Sequence, residues 1–370
     1  MTDQGVPADV FVLDAVVHAY NFADENVIGG AYANSIIEGV YGYHTAFAPS
    51  GRPDLLLKRD VFLNEIADPD VTAGFVFRES HTDACIYHEL PLYGYFRDGG
   101  SPLSVAVAMR EKWPDRIFIY GAISPHQPDA LERVDYLAEE VGVAGLKLYP
   151  HDLVAGELRG FQMDDSDLLH PIFERAASHG LRTIAIHKAL VMGPVPIDPY
   201  YVNDVGEAAR AFPGLTFEIV HGGLAFLEET AYLLQYHPNV TTSLEATSGL
   251  LFKAPWKFAE IIGTLMDVGA ADRILWALGG AALHSRAFEE RMWAFEFPQE
   301  LQDRYGLPPL TTEVKRGILG ENAARILGLD VAAFRRKTER DEFAKPRELE
   351  PAWSCLGGEV ATLASEVSRA

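Results

Sequence analysis

The sequence predicts an α/β fold, a (β/α)8 TIM-type barrel followed by a C-terminal extension. Three observations predict it. Short β-rich runs alternate with helical patterns along most of the chain, the order that builds a parallel sheet, and eight such runs close a barrel. No G-x-G-x-x-G follows any of them, which disfavours an open doubly wound sheet. Histidines collect at the ends of the runs, the side of a barrel that carries chemistry.

The expected strands, in order, are 10–18, 73–78, 116–123, 143–149, 182–187, 216–221, 240–246 and 273–279. Their unbroken apolar cores suit strands covered on both faces. Between them lie helical stretches such as PDALERVDYLAEEVG, which places Leu131, Val134, Leu137 and Ala138 on one face and stops on Gly142. The next stops on Gly180. Residues from about 20 to 70, rich in Gly, Tyr and Asn, read as a long loop. The barrel then spans residues 1–330. The extension 331–370 carries Trp353, Leu356 and Val360, side chains that require a surface to cover, and reads as an oligomer contact or a strap on its own barrel.

Composition narrows the function. With 370 residues and 48% hydrophobic content the chain can bury a large core. Asp and Glu total 53 against 31 Lys and Arg, a formal charge of −22, and a field of that sign repels nucleic acid and anionic membranes. No apolar run approaches a membrane span, and the first residues lack a secretory pattern. The two cysteines, Cys85 and Cys355, are too few and too far apart for a disulfide framework or a Cys-based zinc site, so a reduced, cytoplasmic setting is expected.

His18, His187 and His221 end the first, fifth and sixth runs. His81, His126, His151 and His284 follow other runs closely, whereas His44, His88, His170, His179 and His237 read as loop or helix residues. A convergent set of neutral imidazoles suits a divalent metal. Lys147 ends the fourth run in GLKLYP, where a lysine either meets a substrate carboxylate or a carboxylated form bridges metals; pairing with a nearby acid is an equal expectation. Glu245 and Asp14 are the carboxylates nearest the inferred mouth, as ligands or as acceptors that fix a ring.

LDAVVHAY, VAGLKLYP, IAIHKA, FEIVHGG and ILGENAARILGL together resemble the amidohydrolase superfamily over residues 10–330, most closely the aminocarboxymuconate semialdehyde decarboxylase-like branch. The resemblance implies a divalent metal held by H-x-H on strand one, a His on strand five and an Asp on strand eight, with a His on strand six assisting. His18, His187 and His221 match three of these positions. Val16 stands at the first His of H-x-H, and Gly279 at the aspartate, so two donors are missing. The remaining metal set would be His18, His187 and His221 with Glu245 or His284, most simply a mononuclear zinc, with His221 and Lys147 as catalytic candidates.

Three functions follow as expectations. One is a subunit of a hetero-oligomeric enzyme whose related partner carries the working metals. In length and depleted ligands the chain is similar to the reduced-site subunit type of the 2-aminoisobutyrate hydroxylases, which implies iron or manganese in the partner and oxygen-dependent formation of α-methylserine. The alternative is a stand-alone mononuclear-metal decarboxylase or hydrolase of a small carboxylic acid. The third is a metal-free binding module using Lys147 and His187.

Overall fold

The computed structural model describes residues 5–344 and 349–367, so residues 345–348 and 368–370 of the extension lie outside the described residues. The described residues form ten strands: β1 (Leu13–Val17), β2 (Ala84–His88), β3 (Ile117–Ile123), β4 (Gly145–Leu148), β5 (His151–Val154), β6 (Glu157–Gly160), β7 (Thr183–His187), β8 (Thr216–Val220), β9 (Val240–Ser243) and β10 (Ile274–Leu275). Eight of them make one parallel sheet in the order β1-β2-β3-β4-β7-β8-β9-β10, the expected barrel. β5 and β6 pair only with each other, as a hairpin after β4.

The seam between β10 and β1 is closed by backbone and side chain together. Ala15 N–H donates to Trp276 O at 2.8 Å and Gly279 N–H to Val16 O at 2.9 Å. Asp14, fully buried, accepts from the amides of Val16 and Leu278 through one oxygen. Asp14 is therefore a clasp across the seam, and burial pushes its carboxyl pKa up. Val16 belongs with Leu13, Ala15 and Ile86 to a buried apolar cluster that also contains Phe334, whose ring is 5.3 Å from Phe11.

Two segments differ from the sequence expectation. The run at 73–78 is helical, and the second strand is Ala84–His88. AGFVFR is apolar throughout, so its periodicity does not separate a strand from a buried helix. Upstream, Asp68 caps a helix at Pro69–Ala73 by accepting from the amides of Asp70 and Val71, and the helical path continues to Arg78. The expected loop at 20–70 contains an 18-residue helix, Gly30–Phe47, that buries Ala33, Ile36, Ile37, Val40 and His44 along one stripe. Its glycines and tyrosines masked that stripe.

The described part of the extension covers its own barrel. Trp353 is fully buried against Phe75 and His284, and its indole N–H donates to Leu55 O at 3.1 Å. Thr362 bridges to Leu57, while Val360 stays 75% exposed. Both cysteines are free. No described helix is long and apolar enough to cross a membrane.

Candidate functional site

The barrel's C-terminal ends open into a cavity of about 330 Å³, within the range of small-ligand sites. The helix Gly30–Phe47 roofs it, contributing Ile36, Tyr43 and Phe47, and Phe22, Phe96 and Met192 add apolar wall. Its polar floor is His18, His187, His221 and Glu245, four of the expected residues. His284 does not join them: its Nε2 is 3.0 Å from Glu79 Oε2, beneath Trp353. Lys147 is fully buried inside the barrel and does not line the cavity.

The floor is held in strained backbone. His221 has φ +83, Ala246, next to Glu245, has φ +60, and Ala189, two residues after His187, has φ +61. Non-glycine residues at positive φ cost free energy and persist where the surroundings over-determine them, as at functional sites. Gly279 is at φ +82, and a Cβ there would lie 2.7 Å from Glu245 Oε1. A Cβ on Gly280 would lie 2.3 Å from the His18 carbonyl oxygen. The two glycines therefore let β10's end pass against β1 while Glu245 fills the space in which a residue-279 side chain would begin.

Hydrogen bonds assign the imidazole protons. His187 Nε2 lies 2.7 Å from the Leu190 carbonyl, which only accepts, so that nitrogen carries the proton and Nδ1 is an acceptor. His221 Nε2, 2.9 Å away, then donates to it. This leaves His221 Nδ1 without a proton, 3.2 Å from the Glu245 carbonyl and 3.8 Å from its carboxylate. His18 Nδ1 donates to His88 O at 2.9 Å, and its Nε2 faces Glu245 Oε1 at 3.4 Å.

Electrostatics follow. Burial, with His221 and Lys147 nearby, pushes the His187 pKa down, and burial takes His221 to about 4 against the pull of Glu245. Burial opposes ionisation of Glu245, but His221, His18 and Lys147 outweigh it and hold the carboxyl below its usual range. Among the described residues Lys147 Nζ has no hydrogen-bond partner; burial lowers its pKa, and Glu245 and Glu218 hold the charge against that. Burial pushes Glu218 up to about 7.

As a metal centre the arrangement is short of donors. Among the described residues no group of three His, Cys, Asp or Glu side chains is placed to hold an ion. His187 has both ring nitrogens engaged, so the donors left on the floor are His18 Nε2, His221 Nδ1 and the Glu245 carboxylate. They would hold one ion only after His221 Nδ1 turned from the Glu245 carbonyl, 3.2 Å away.

The family model described as amidohydrolase matches residues 89–329. The chain belongs to the amidohydrolase family. The match begins after β1. Among solved structures, an uncharacterised TIM-barrel protein from Bordetella bronchiseptica is 15% identical with a TM-score of 0.59, covering 86% of this chain and 99% of that one. A 5-carboxyvanillate decarboxylase from Novosphingobium aromaticivorans, complexed with manganese and 4-hydroxy-3-methoxy-5-nitrobenzoic acid, is 16% identical with a TM-score of 0.55, covering 89% and 100%. A probable 2-pyrone-4,6-dicarboxylic acid hydrolase from Acinetobacter baumannii with citric acid bound is 9% identical with a TM-score of 0.52, covering 86% and 99%. At these identities the likeness is one of fold. Among curated proteins, none matches this sequence.

Sequence reasoning missed three residues that position the site. His88 lies not in a loop but at the end of β2, and it supplies the carbonyl that orients His18. Tyr149 packs tilted against His187 with ring centroids 4.2 Å apart. Lys188 turns away from the cavity to a buried pair with Asp204 at 2.6 Å, anchoring the segment after His187. The lysine in IAIHKA was the available signal for that anchor.

Proposed function

We propose that this chain is an amidohydrolase-family enzyme acting in its own barrel on a small carboxylic or amino acid, by hydrolysis or decarboxylation. The position of Glu245 carries the reading: its carboxylate fills the space beside Gly279 and pairs with His18, on a floor of strained backbone. Glu245, ionised, is the acceptor for a proton from water or substrate. His221 Nδ1 is the second acceptor, and protonation there completes an unbroken row of hydrogen bonds from the Glu245 carbonyl through His221 and His187 to Leu190. The apolar walls keep water from the exchange and strengthen each of these interactions.

A second reading has an observation of its own. The donor shortfall at Val16 and Gly279 favours a subunit role beside a related metal-bearing chain, with oxygen-dependent hydroxylation of 2-aminoisobutyrate to α-methylserine as the named reaction and zinc, iron or manganese as the metal. One experiment separates the readings. The chain is purified alone, metals per chain are measured by mass spectrometry beside a His187→Ala control, and turnover of small carboxylic and amino acids is assayed. Turnover by the lone chain supports the first reading. Turnover only on adding a related subunit establishes the second.

A further inference from the structure

The cavity floor lies behind a roof. His18, His187, His221 and Glu245 line a space of about 330 Å³, yet none of them is more than 9% exposed. A ligand of substrate size therefore reaches them only as some part of the roof moves. The roof has two parts. One is the helix Gly30–Phe47; the other is the segment 189–199 after β7, which brings Leu190, Val191 and Met192 to the cavity.

The helix is pinned. His44 Nδ1 donates to Ala282 O at 3.0 Å, and its Nε2 accepts from the Leu57 amide at 2.8 Å. Tyr43 donates its hydroxyl to Ala246 O at 3.0 Å, and a Cβ on Gly249 would lie 2.9 Å from the Phe47 ring. Lifting the helix breaks three hydrogen bonds and this close packing.

The segment 189–199 is tied at its ends instead. Ala189 N–H donates to Tyr200 O at 3.1 Å, and Lys188 Nζ donates to Pro199 O at 2.7 Å. Leu190 O lies 2.7 Å from His187 Nε2, and the Gln162 side-chain amide donates to Asp198 O at 3.2 Å. A loop with adjoining, anchored ends is of the Ω type. Its tip meets the helix by close approach: a Cβ on Gly39 would lie 3.6 Å from Met192 Cε, and one on Gly193 3.6 Å from Ser35 Cβ. Among the described residues no backbone hydrogen bond joins 191–197 to the helix. The run LVMGPVPI carries no charged side chain, so its separation from the helix breaks no ion pair. Pro194, Pro196 and Pro199 fix φ at three positions, which makes the loop stiff enough to swing as one body.

We propose that residues 190–198 are a flap, hinged at Ala189 and Pro199, whose parting from Ser35 and Gly39 admits ligand to the floor. The proposal concerns entry and holds for either reading of the reaction.

The test locks the flap shut. A Cβ separation of 3.6 Å suits a disulfide, so the full chain carrying Ser35→Cys and Gly193→Cys is oxidised. Peptide mapping then distinguishes the new bond from the native Cys85 and Cys355. Access is read without a substrate, as the rate at which diethyl pyrocarbonate modifies His18 and His221, with His126 outside the cavity as reference. The oxidised chain should be modified at the floor at least tenfold more slowly than the reduced one, with His126 unchanged and dithiothreitol restoring the rate. Equal floor rates in the locked and reduced chains would overturn the proposal. Met192→Ala tests the same seam without a cross-link. Removing the side chain that meets Gly39 should speed floor modification at least threefold, and an unchanged rate would likewise overturn the proposal.

Discussion

Two buried glutamate–histidine pairs lie at either end of one short segment, and they are built to opposite specifications. At one end Glu79 takes His284 Nε2 at 3.0 Å, the Trp353 amide at 2.6 Å, the Cys355 amide at 2.8 Å and the Ser354 hydroxyl at 2.9 Å. Every direction around that carboxylate is used by the protein. At the other end Glu245 has His18 at 3.4 Å and His221 at 3.8 Å, and it faces a cavity. Gly279 to His284 joins them, with His44 holding the middle: its Nδ1 donates to Ala282 O at 3.0 Å and its Nε2 accepts from the Leu57 amide at 2.8 Å. A saturated carboxylate stabilises the fold; one left open is available to a ligand.

The largest expected effect breaks the saturated pair. Glu79→Ala leaves His284 and two tail amides buried without an acceptor, and it should cost ~3–5 kcal/mol of stability in denaturant titration. Protease accessibility of the tail should rise with it. A variant as stable as wild type would mean that the tail is held by Trp353 packing alone.

The bridge between the pairs responds to acid. Burial holds His44 at about 4, below its usual 6.5, against the hydrogen bond to Ala282. The unfolded chain takes up the proton below about pH 6.5 and the folded chain only near pH 4, so this site removes stability as pH falls through that window. Measured against His44→Gln, wild type should lose about 3 kcal/mol more between pH 7 and pH 4. Parallel pH profiles would show that this histidine does not remain neutral in the fold.

The open pair is sharpened by the conservative change. Glu245→Gln should lower turnover about a hundredfold or more while costing less stability than Glu79→Ala, because its carboxylate is held by neighbouring charge and not by close protein donors. A large stability loss with retained turnover would make Glu245 structural, like Glu79. The smallest effect belongs to Gly279→Ala. Its φ of +82 and the 2.7 Å approach to Glu245 Oε1 predict a loss of ~1–3 kcal/mol and a displaced carboxylate, read as weakened ligand binding.

Much of the site was legible in the sequence because barrels place strand ends together: His18, His187, His221 and Glu245 end or follow strands and share one floor. His284 follows a strand in the same way, yet Gly279 and Gly280 turn the chain at positive φ and deliver it to Glu79. Local position did not distinguish the two. His88 was missed because AGFVFR displaced the second strand in the reading, leaving the histidine that ends the true strand in an apparent loop.

By itself the sequence determined the alternation of strand and helix, the closed parallel barrel and the histidines at strand ends. These depend on residue type and spacing, which act locally and repeat along the chain. The tertiary structure alone decided which glutamate pairs with which histidine, that residue 279 yields its space to Glu245, and that the extension closes over Glu79. Those outcomes depend on close approach between residues far apart in sequence, such as Glu79 and Trp353, where packing and hydrogen bonding decide what spacing cannot.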